Sequence, residues 1–369
     1  MSAAGNPDDL GDTSLRLRFL KLALAIATTI RSMFLRNAWY VAAWEREVGD
    51  WPYATTILGD RVAIYRGNSG TYGALEDACP HRKVPLSMGR VQGDNIECGY
   101  HGLVFDCAGL CVKAPGNERP PPGARVRSYP IEPRYGLLWI WMGDASQANA
   151  DEIFEAEHWG DPAWGTTDGD DMIVGCNYLH ITDNLLDPSH VAWVHPGSFA
   201  GDGSDEVPLQ VIIADDGITT WRWMLDTTPA PFYAPYLEFE GNCDRKQQYE
   251  VRYPSNALIR AFISPAGAGG EDKPLHPDTF VMDSFNFLTP VDETTTRYFW
   301  FQMRNVAPGD AEVSQRFAAS VRGAFEEDKV ILQASQRGMI ESTTPNVNLR
   351  TDSGGIRFRR RLAQMIDAE

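Results

Sequence analysis

Two Cys/His pairs constrain this chain more than any other feature. The stretch from Cys79 to His101 reads CPHRKVPLSMGRVQGDNIECGYH, a Cys-x-His pair and a Cys-x-x-His pair separated by sixteen residues. Each pair sets a soft thiolate beside an imidazole, with Pro, Gly and basic residues around it. Four such side chains bind either one zinc tetrahedrally or a 2Fe–2S cluster with two Cys on one iron and two His on the other. Zinc sites usually pair Cys with Cys and His with His. Alternation within each pair suits two irons, because each loop then gives one ligand to each. Gly99, Gly102 and Pro80 let the loops close around the cluster and aim N–H groups at sulfur, which tunes its potential.

The bulk numbers narrow the rest. The chain has 369 residues, enough for two packed domains, and a net charge of −17. That charge disfavours nucleic acid and anionic membranes, which require a basic surface, and it suits docking to a basic partner. Six cysteines are too few for a disulfide scaffold, and two with His neighbours point to metal in a reducing, cytoplasmic compartment. On the same ground Cys107 and Cys111 are expected as thiols. The apolar run from Leu22 to Ile30 is too short to span a bilayer. Asp8, Asp9 and Asp12 precede it and no small-residue cleavage site stands out, so it reads as a short amphipathic helix or as an upstream start codon with Met33 opening the domain, and with no membrane span.

Residues 1–33 are therefore expected to be an N-terminal extension. From 34 to 145, short β-branched and aromatic runs alternate with GD and GNSG turns, as in ATTILGDRVAIYRGNSGTYGALED. That predicts a small all-β domain whose loops carry the two pairs. From 146 to 369, helical patterning over ADEIFEAEHWG and CNYLHITDNLLDPSHVAWVH gives way to strands between Val207 and Arg304. A helix follows, from about Asp310 to Arg337. The fold class is α+β, with an antiparallel sheet gripped by helices.

A second constellation lies in DNLLDPSHVAWVH. Asn184, Asp187, His190 and His195 fall at spacings of three, three and five. Three-residue spacing shares a helix face. Five residues turn through about 140° in a regular helix. His190 and His195 converge only if the helix is irregular between them, and Pro188 marks a new helical start. In SQRFAASVRGAFEEDKVILQ, Asp328 falls on the apolar stripe of Phe317, Val321, Ala324, Phe325, Ile331 and Leu332, while Glu326 and Glu327 fall beside or opposite it. A carboxylate on a buried face is costly unless paired or metal-bound. Two His and one carboxylate with open positions form the facial triad of non-haem Fe(II) oxygenases.

The motif CPHRKVPLSMGRVQGDNIECGYHGLVFD resembles that of the Rieske non-haem iron oxygenases, and the likeness runs from Met33 onward. The segment EEDKV is similar to the vanillate and dicamba O-demethylase branch. The resemblance implies that Cys79 and Cys98 hold one iron, that His81 and His101 hold the other, and that His190, His195 and Asp328 hold a mononuclear Fe(II). It implies O₂ as co-substrate and electrons from NADH through a separate reductase or ferredoxin. It also implies a homotrimer in which the cluster of one subunit faces the iron of the next. Asp187 would then bridge His190 to His101 of the neighbouring subunit, with an N-cap for the helix at Pro188 as its other role. Asn184 would line the iron site without ligating it. The branch suggests O-demethylation of an aromatic acid. Ring or methyl hydroxylation, N-demethylation, and a Rieske electron carrier fused to a binding domain are the alternatives. Phe285, Asn286 and Phe287 are candidate pocket residues, although alternate strand positions face opposite ways.

Overall fold

The computed structural model describes residues 33–203 and 206–369. The expected N-terminal extension, with its apolar run, lies outside the described residues except for Met33.

The first half is all-β. Its strands are β1 (Trp39–Trp44), β2 (Tyr53–Ile57), β3 (Asp60–Arg66), β4 (Tyr72–Glu76), β5 (Arg90–Gln92), β6 (Asn95–Glu97), β7 (Val104–Phe105), β8 (Cys111–Lys113), β9 (Ile131–Arg134) and β10 (Leu137–Trp141). They form three small antiparallel sheets ordered β1-β10-β9, β2-β3-β4 and β5-β6-β7-β8. The last sheet carries the Cys/His loops. Its side of the core holds Tyr65, Leu75, Cys79, Leu86, Ile96, Cys98 and Phe105.

The second half is built on an eight-stranded sheet ordered β11-β18-β17-β16-β15-β14-β13, with β12 also on β18. Its strands are β11 (Gly165–Thr166), β12 (Asp170–Val174), β13 (Gln210–Ile213), β14 (Gly217–Thr227), β15 (Cys243–Arg252), β16 (Asn256–Pro265), β17 (Phe280–Asp292) and β18 (Thr295–Arg304). Among the described residues four helices accompany it: α1 (Tyr178–Leu186), the single turn α2 (Val191–Val194), α3 (Ala311–Glu341) and α4 (Ser353–Asp367). The Asp310 carboxylate caps α3 by accepting from Val313 N at 3.0 Å. The stripe of Phe317, Val321, Ala324, Phe325 and Leu332 is buried against the sheet, but Ile331 is exposed.

β17 shows how the halves interlock. It is buried on both faces through eleven consecutive residues, as a strand covered on both sides must be. Phe280, Met282 and Leu288 face the helices, while Phe285 and Phe287 face Trp139 and Phe154 of the other half. The Thr289 hydroxyl donates to Val41 O at 2.7 Å, and Leu58 N donates to Pro290 O at 2.8 Å. Arg297 on β18 joins Glu47 and Asp171, each at 2.7 Å, with a side chain only 12% exposed. Removing one partner of this partly buried network leaves charge uncompensated and costs about 1–3 kcal/mol. Arg297→Met should therefore lower the urea midpoint of unfolding followed by tryptophan fluorescence. An unchanged midpoint would show that this junction contributes nothing to stability.

Candidate metal centres

The two Cys/His loops are near copies of one another. Cys79 N donates to Val84 O at 2.9 Å and Lys83 N to Cys79 O at 2.8 Å. In the second loop Cys98 N donates to Leu103 O at 2.8 Å and Gly102 N to Cys98 O at 3.0 Å. The fourth residue after each Cys is left-handed: Gly102 at φ 69° and Lys83 at φ 59°. Gly102 adopts this at little cost, whereas Lys83 does so against its Cβ. The loops press together at Gly99, where a Cβ would lie 2.7 Å from Met88 O. Buried Asp77 anchors the first loop by accepting from Ser87 N at 2.7 Å and Ser87 Oγ at 2.8 Å.

This fold gathers the four side chains. Cys79 and Cys98 are buried, and their thiols lie within hydrogen-bonding reach of each other. Burial pushes the Cys79 thiol up to about 11, so only a bound metal makes it a thiolate at neutral pH. The His81 and His101 rings lie 4.5 Å apart between centroids and are exposed. The Sγ atoms thus sit inside and the imidazoles at the surface, beside exposed Met88 and Tyr100. This donor set of two Cys and two His would fit a 2Fe–2S cluster. Cys107 and Cys111 are free thiols.

The second site lies between α1, α2, α3 and the sheet. His190, His195 and Asp328 offer ligand atoms all within 4.8 Å of one another. His190 Nε2 lies 3.6 Å from Asp328 Oδ1, and His195 Nε2 lies 3.2 Å from Oδ2. Donors at right angles around a metal about 2.1 Å away are separated by about 3 Å, so the three fit one ion. Helix irregularity brings the histidines together, as the spacing requires, with a 3₁₀-to-α switch directly after His190 and a helix end at His195. α1 stops at Asp187, Pro188–His190 is a 3₁₀ turn, and α2 fills the gap before His195 leaves helical geometry at φ −117° and ψ 44°. The first break falls at Pro188, which cannot continue α1.

Asp187 and Asn184 sit against this site differently. The Asp187 carboxylate caps the 3₁₀ turn, accepting from Ser189 N at 3.0 Å. Its contact with His190 is made by the main chain: His190 Nδ1 lies 2.6 Å from Asp187 O. The expected carboxylate link to His190 is corrected to this carbonyl, because in a tight turn the ring three residues on meets the carbonyl while the side chain caps the turn. Asn184 Nδ2 donates to Asp328 Oδ1 at 3.1 Å, holding the carboxylate without joining the triad.

Glu327 was missed in the sequence. Its Oε2 lies 2.7 Å from His195 Nδ1 although the side chain is 53% exposed. The helix stripe placed it beside the buried face, and only the return of the chain at His195 gives it a partner. Burial lowers the proton affinity of His195, but the bonds from Asp328 and Glu327 more than offset this and raise its pKa. The same negative surround favours a metal cation at Nε2, and a carboxylate on the second nitrogen fixes the ring. Glu327→Gln should lower mononuclear iron affinity about 10-fold or more, read as iron retained after dialysis against a chelator. Retention equal to the unmodified protein would remove Glu327 from the site.

A cavity of about 50 Å³ opens beside the triad, lined by Asn184, Leu185, Phe199, Tyr233, Tyr249, Ile259, Met282, Ser284 and Phe325 among others. Ser284 and Met282 face it, so period-2 alternation turns Phe285 and Phe287 to the opposite face, among the tryptophans. They are not pocket residues. Asn286 shares the face of Ser284 but lies fully buried outside the cavity wall, bonded to Ser284 O at 2.8 Å and the Tyr298 hydroxyl at 2.9 Å.

Residues 38–130 match the Rieske [2Fe-2S] domain, and residues 174–368 match the vanillate O-demethylase oxygenase C-terminal domain. The chain belongs to the Rieske non-haem iron oxygenases. It is 36% identical to a putative toluene-4-sulfonate monooxygenase system iron-sulfur subunit of Comamonas testosteroni, spanning 91% of this chain and 98% of the relative. It is 34% identical to a vanillate O-demethylase oxygenase subunit of a Pseudomonas species, over 91% and 96%. The crystal structure of dicamba monooxygenase bound to 3,6-dichlorosalicylic acid superposes with a TM-score of 0.84 at 31% identity, covering 91% of this chain and 98% of that one. This Rieske oxygenase carries a 2Fe–2S cluster and a non-haem iron, and it acts as the oxygenase component of a monooxygenase system. The zinc and simple electron-carrier readings are thereby set aside. Among the described residues no helix is long and apolar enough to cross a membrane.

Proposed function

We propose that this oxygenase removes a methyl group from a small methoxylated aromatic acid. The carrying observation is the cavity itself, which joins the two-His, one-carboxylate triad to a wall of Phe199, Tyr233, Tyr249 and Phe325. Drug-sized pockets run to roughly 300–1,000 Å³, so this one takes at most a small ring, and only when its lining side chains move apart. Cys79 and Cys98 would hold one cluster iron and His81 and His101 the other. His190, His195 and Asp328 would hold the Fe(II) that supplies O₂ chemistry when bound. Asn184 and Glu327 orient the donors, and the apolar wall holds the ring and excludes water. The overall balance is one methoxy group, O₂, two electrons and two protons giving a phenol, formaldehyde and water. The electrons come from NADH through a separate reductase or ferredoxin.

The assembly we infer is a ring of subunits, commonly three in this family, in which the exposed His81 and His101 of one chain face the iron site of the next. Exposed Trp193 on α2, Val330, Ile331 and Ile340 on α3, and Val347 and Leu349 beyond it support such contacts. A cytoplasmic setting agrees with the free cysteines.

The Comamonas relative, named for toluene-4-sulfonate, favours a second reading, ring or methyl hydroxylation, which uses the same triad. The test supplies iron-loaded protein, a Rieske reductase, NADH and O₂ with methoxylated and methylated aromatic acids. Formaldehyde from a methoxylated acid is expected. A hydroxymethyl product without formaldehyde would replace demethylation by hydroxylation.

A further inference from the structure

We propose that Arg245 is the anion anchor of the substrate cavity and selects carboxylates or sulfonates over neutral aromatics. This rests on the aromatic-acid reading above and deepens it.

Arg245 lies on β15 on the same face as Gln247 and Tyr249, all three buried. Tyr249 and its cross-strand partner Ile259 line the cavity. The guanidinium does not line the cavity itself but packs behind two residues that do. Its carbon lies 5.0 Å from the Tyr233 ring centroid, and Nη2 donates to Phe199 O at 2.8 Å. Tyr233 and Phe199 both line the cavity, and the Phe199 ring stands 6.3 Å from that of His195. Phe199 therefore stands between the triad and the guanidinium behind the wall.

This cation is 3% exposed, yet its Nε and Nη1 have no hydrogen-bond partner among the described residues. The neighbouring carboxylate is committed elsewhere: Asp244 accepts from Asp226 N at 2.9 Å and Gly269 N at 2.8 Å. Buried Arg222, by contrast, donates to Gln247, Val207 and Pro188. A dry guanidinium with two free donors is costly by itself. It matches the planar, bidentate geometry of a carboxylate or sulfonate. The whole chain carries a net charge of −17, so an anionic substrate gains nothing from the surface field and needs a local cation.

The cavity of about 50 Å³ is far below the roughly 300–1,000 Å³ of ligand pockets, so binding a benzoate displaces lining side chains. Phe199 and Tyr233 are the pair whose displacement opens onto Arg245. With the anion there, the opposite end of the ring points toward His190, His195 and Asp328.

The test measures calorimetric binding of three probes to the iron-loaded protein: 4-methoxybenzoate, toluene-4-sulfonate and neutral 4-methoxybenzamide. The unmodified protein should bind the anions at least ~10-fold more tightly than the amide. Arg245→Met should lose about 100-fold on both anions and less than about 3-fold on the amide, with cluster absorbance unchanged. Arg245→Lys keeps the charge but not the fork, and should lose about 10-fold on the anions alone. It decides the matter if the Met variant does not fold. Equal anion binding by the Lys or Met variant and the unmodified protein overturns the anchor, as does an unmodified protein with no preference for anions. The formaldehyde assay fails independently. Anion selectivity without formaldehyde sinks demethylation alone, and formaldehyde released equally from acid and amide sinks the anchor alone.

Discussion

Replacing Asp328 with Ala should abolish turnover, by about 10³-fold or more, while the Rieske cluster remains in place. Loss of a mere second-sphere partner already costs about 10- to 100-fold in metal affinity or activity, and Asp328 meets both histidines directly. It is 7% exposed, so no solvent-borne carboxylate substitutes for it. Glu327 stands on the far nitrogen of His195 and cannot turn inward without giving up that bond. Asn184 loses the acceptor of its amide as well. The expected result is a fall from about three irons per chain to about two, the pair of the cluster, with the cluster's visible absorption unchanged. Full iron content with normal activity would mean that the triad is not the iron site.

Asp187→Asn should leave both metal centres loaded and lower coupled product formation about 100-fold, the upper end of what an outer-sphere partner contributes. The structure makes this variant clean. Asn caps a helical turn as well as Asp does, so the Ser189 N–H keeps its acceptor. The link to His190 runs through the Asp187 carbonyl and is untouched by the side chain. What disappears is the negative charge proposed to meet His101 of the neighbouring subunit. Iron content, cluster absorption and substrate affinity should stay within about 3-fold of the unmodified protein, while product per NADH collapses. Asp187→Ala removes the cap too and should also lower thermal stability. Full coupled turnover in the Asn variant would show that the carboxylate does not bridge subunits.

The sequence was most legible where chemistry demands particular residue types at short range. Alternating Cys and His in two loops restricted the cofactor, because each loop is local and its ligands are spaced by one and two residues. The stripe on α3 placed Asp328 inside, because helical periodicity needs no knowledge of the partner. The turn at Pro188 was visible for the same reason. The lost readings involve contacts made across the fold. Phe285 and Phe287 look like pocket residues until the face of β17 is known, and a strand pattern gives two faces without saying which is covered by what. Glu327 looks solvent-facing until His195 arrives from another segment. Arg245 is one charge among 33 basic residues until β15 is set beside β16 and its guanidinium is seen buried without a carboxylate.

By itself, then, the sequence determined the metal chemistry and the sequence of strands and helices, since ligand type, local spacing and periodicity are properties of neighbours along the chain. Only the tertiary structure decided which face of β17 meets the cavity, which atom of Asp187 meets His190, and which cation is buried behind Phe199 and Tyr233. Those depend on burial and on the pairing of residues far apart in sequence, where desolvation and packing, rather than local preference, set the outcome.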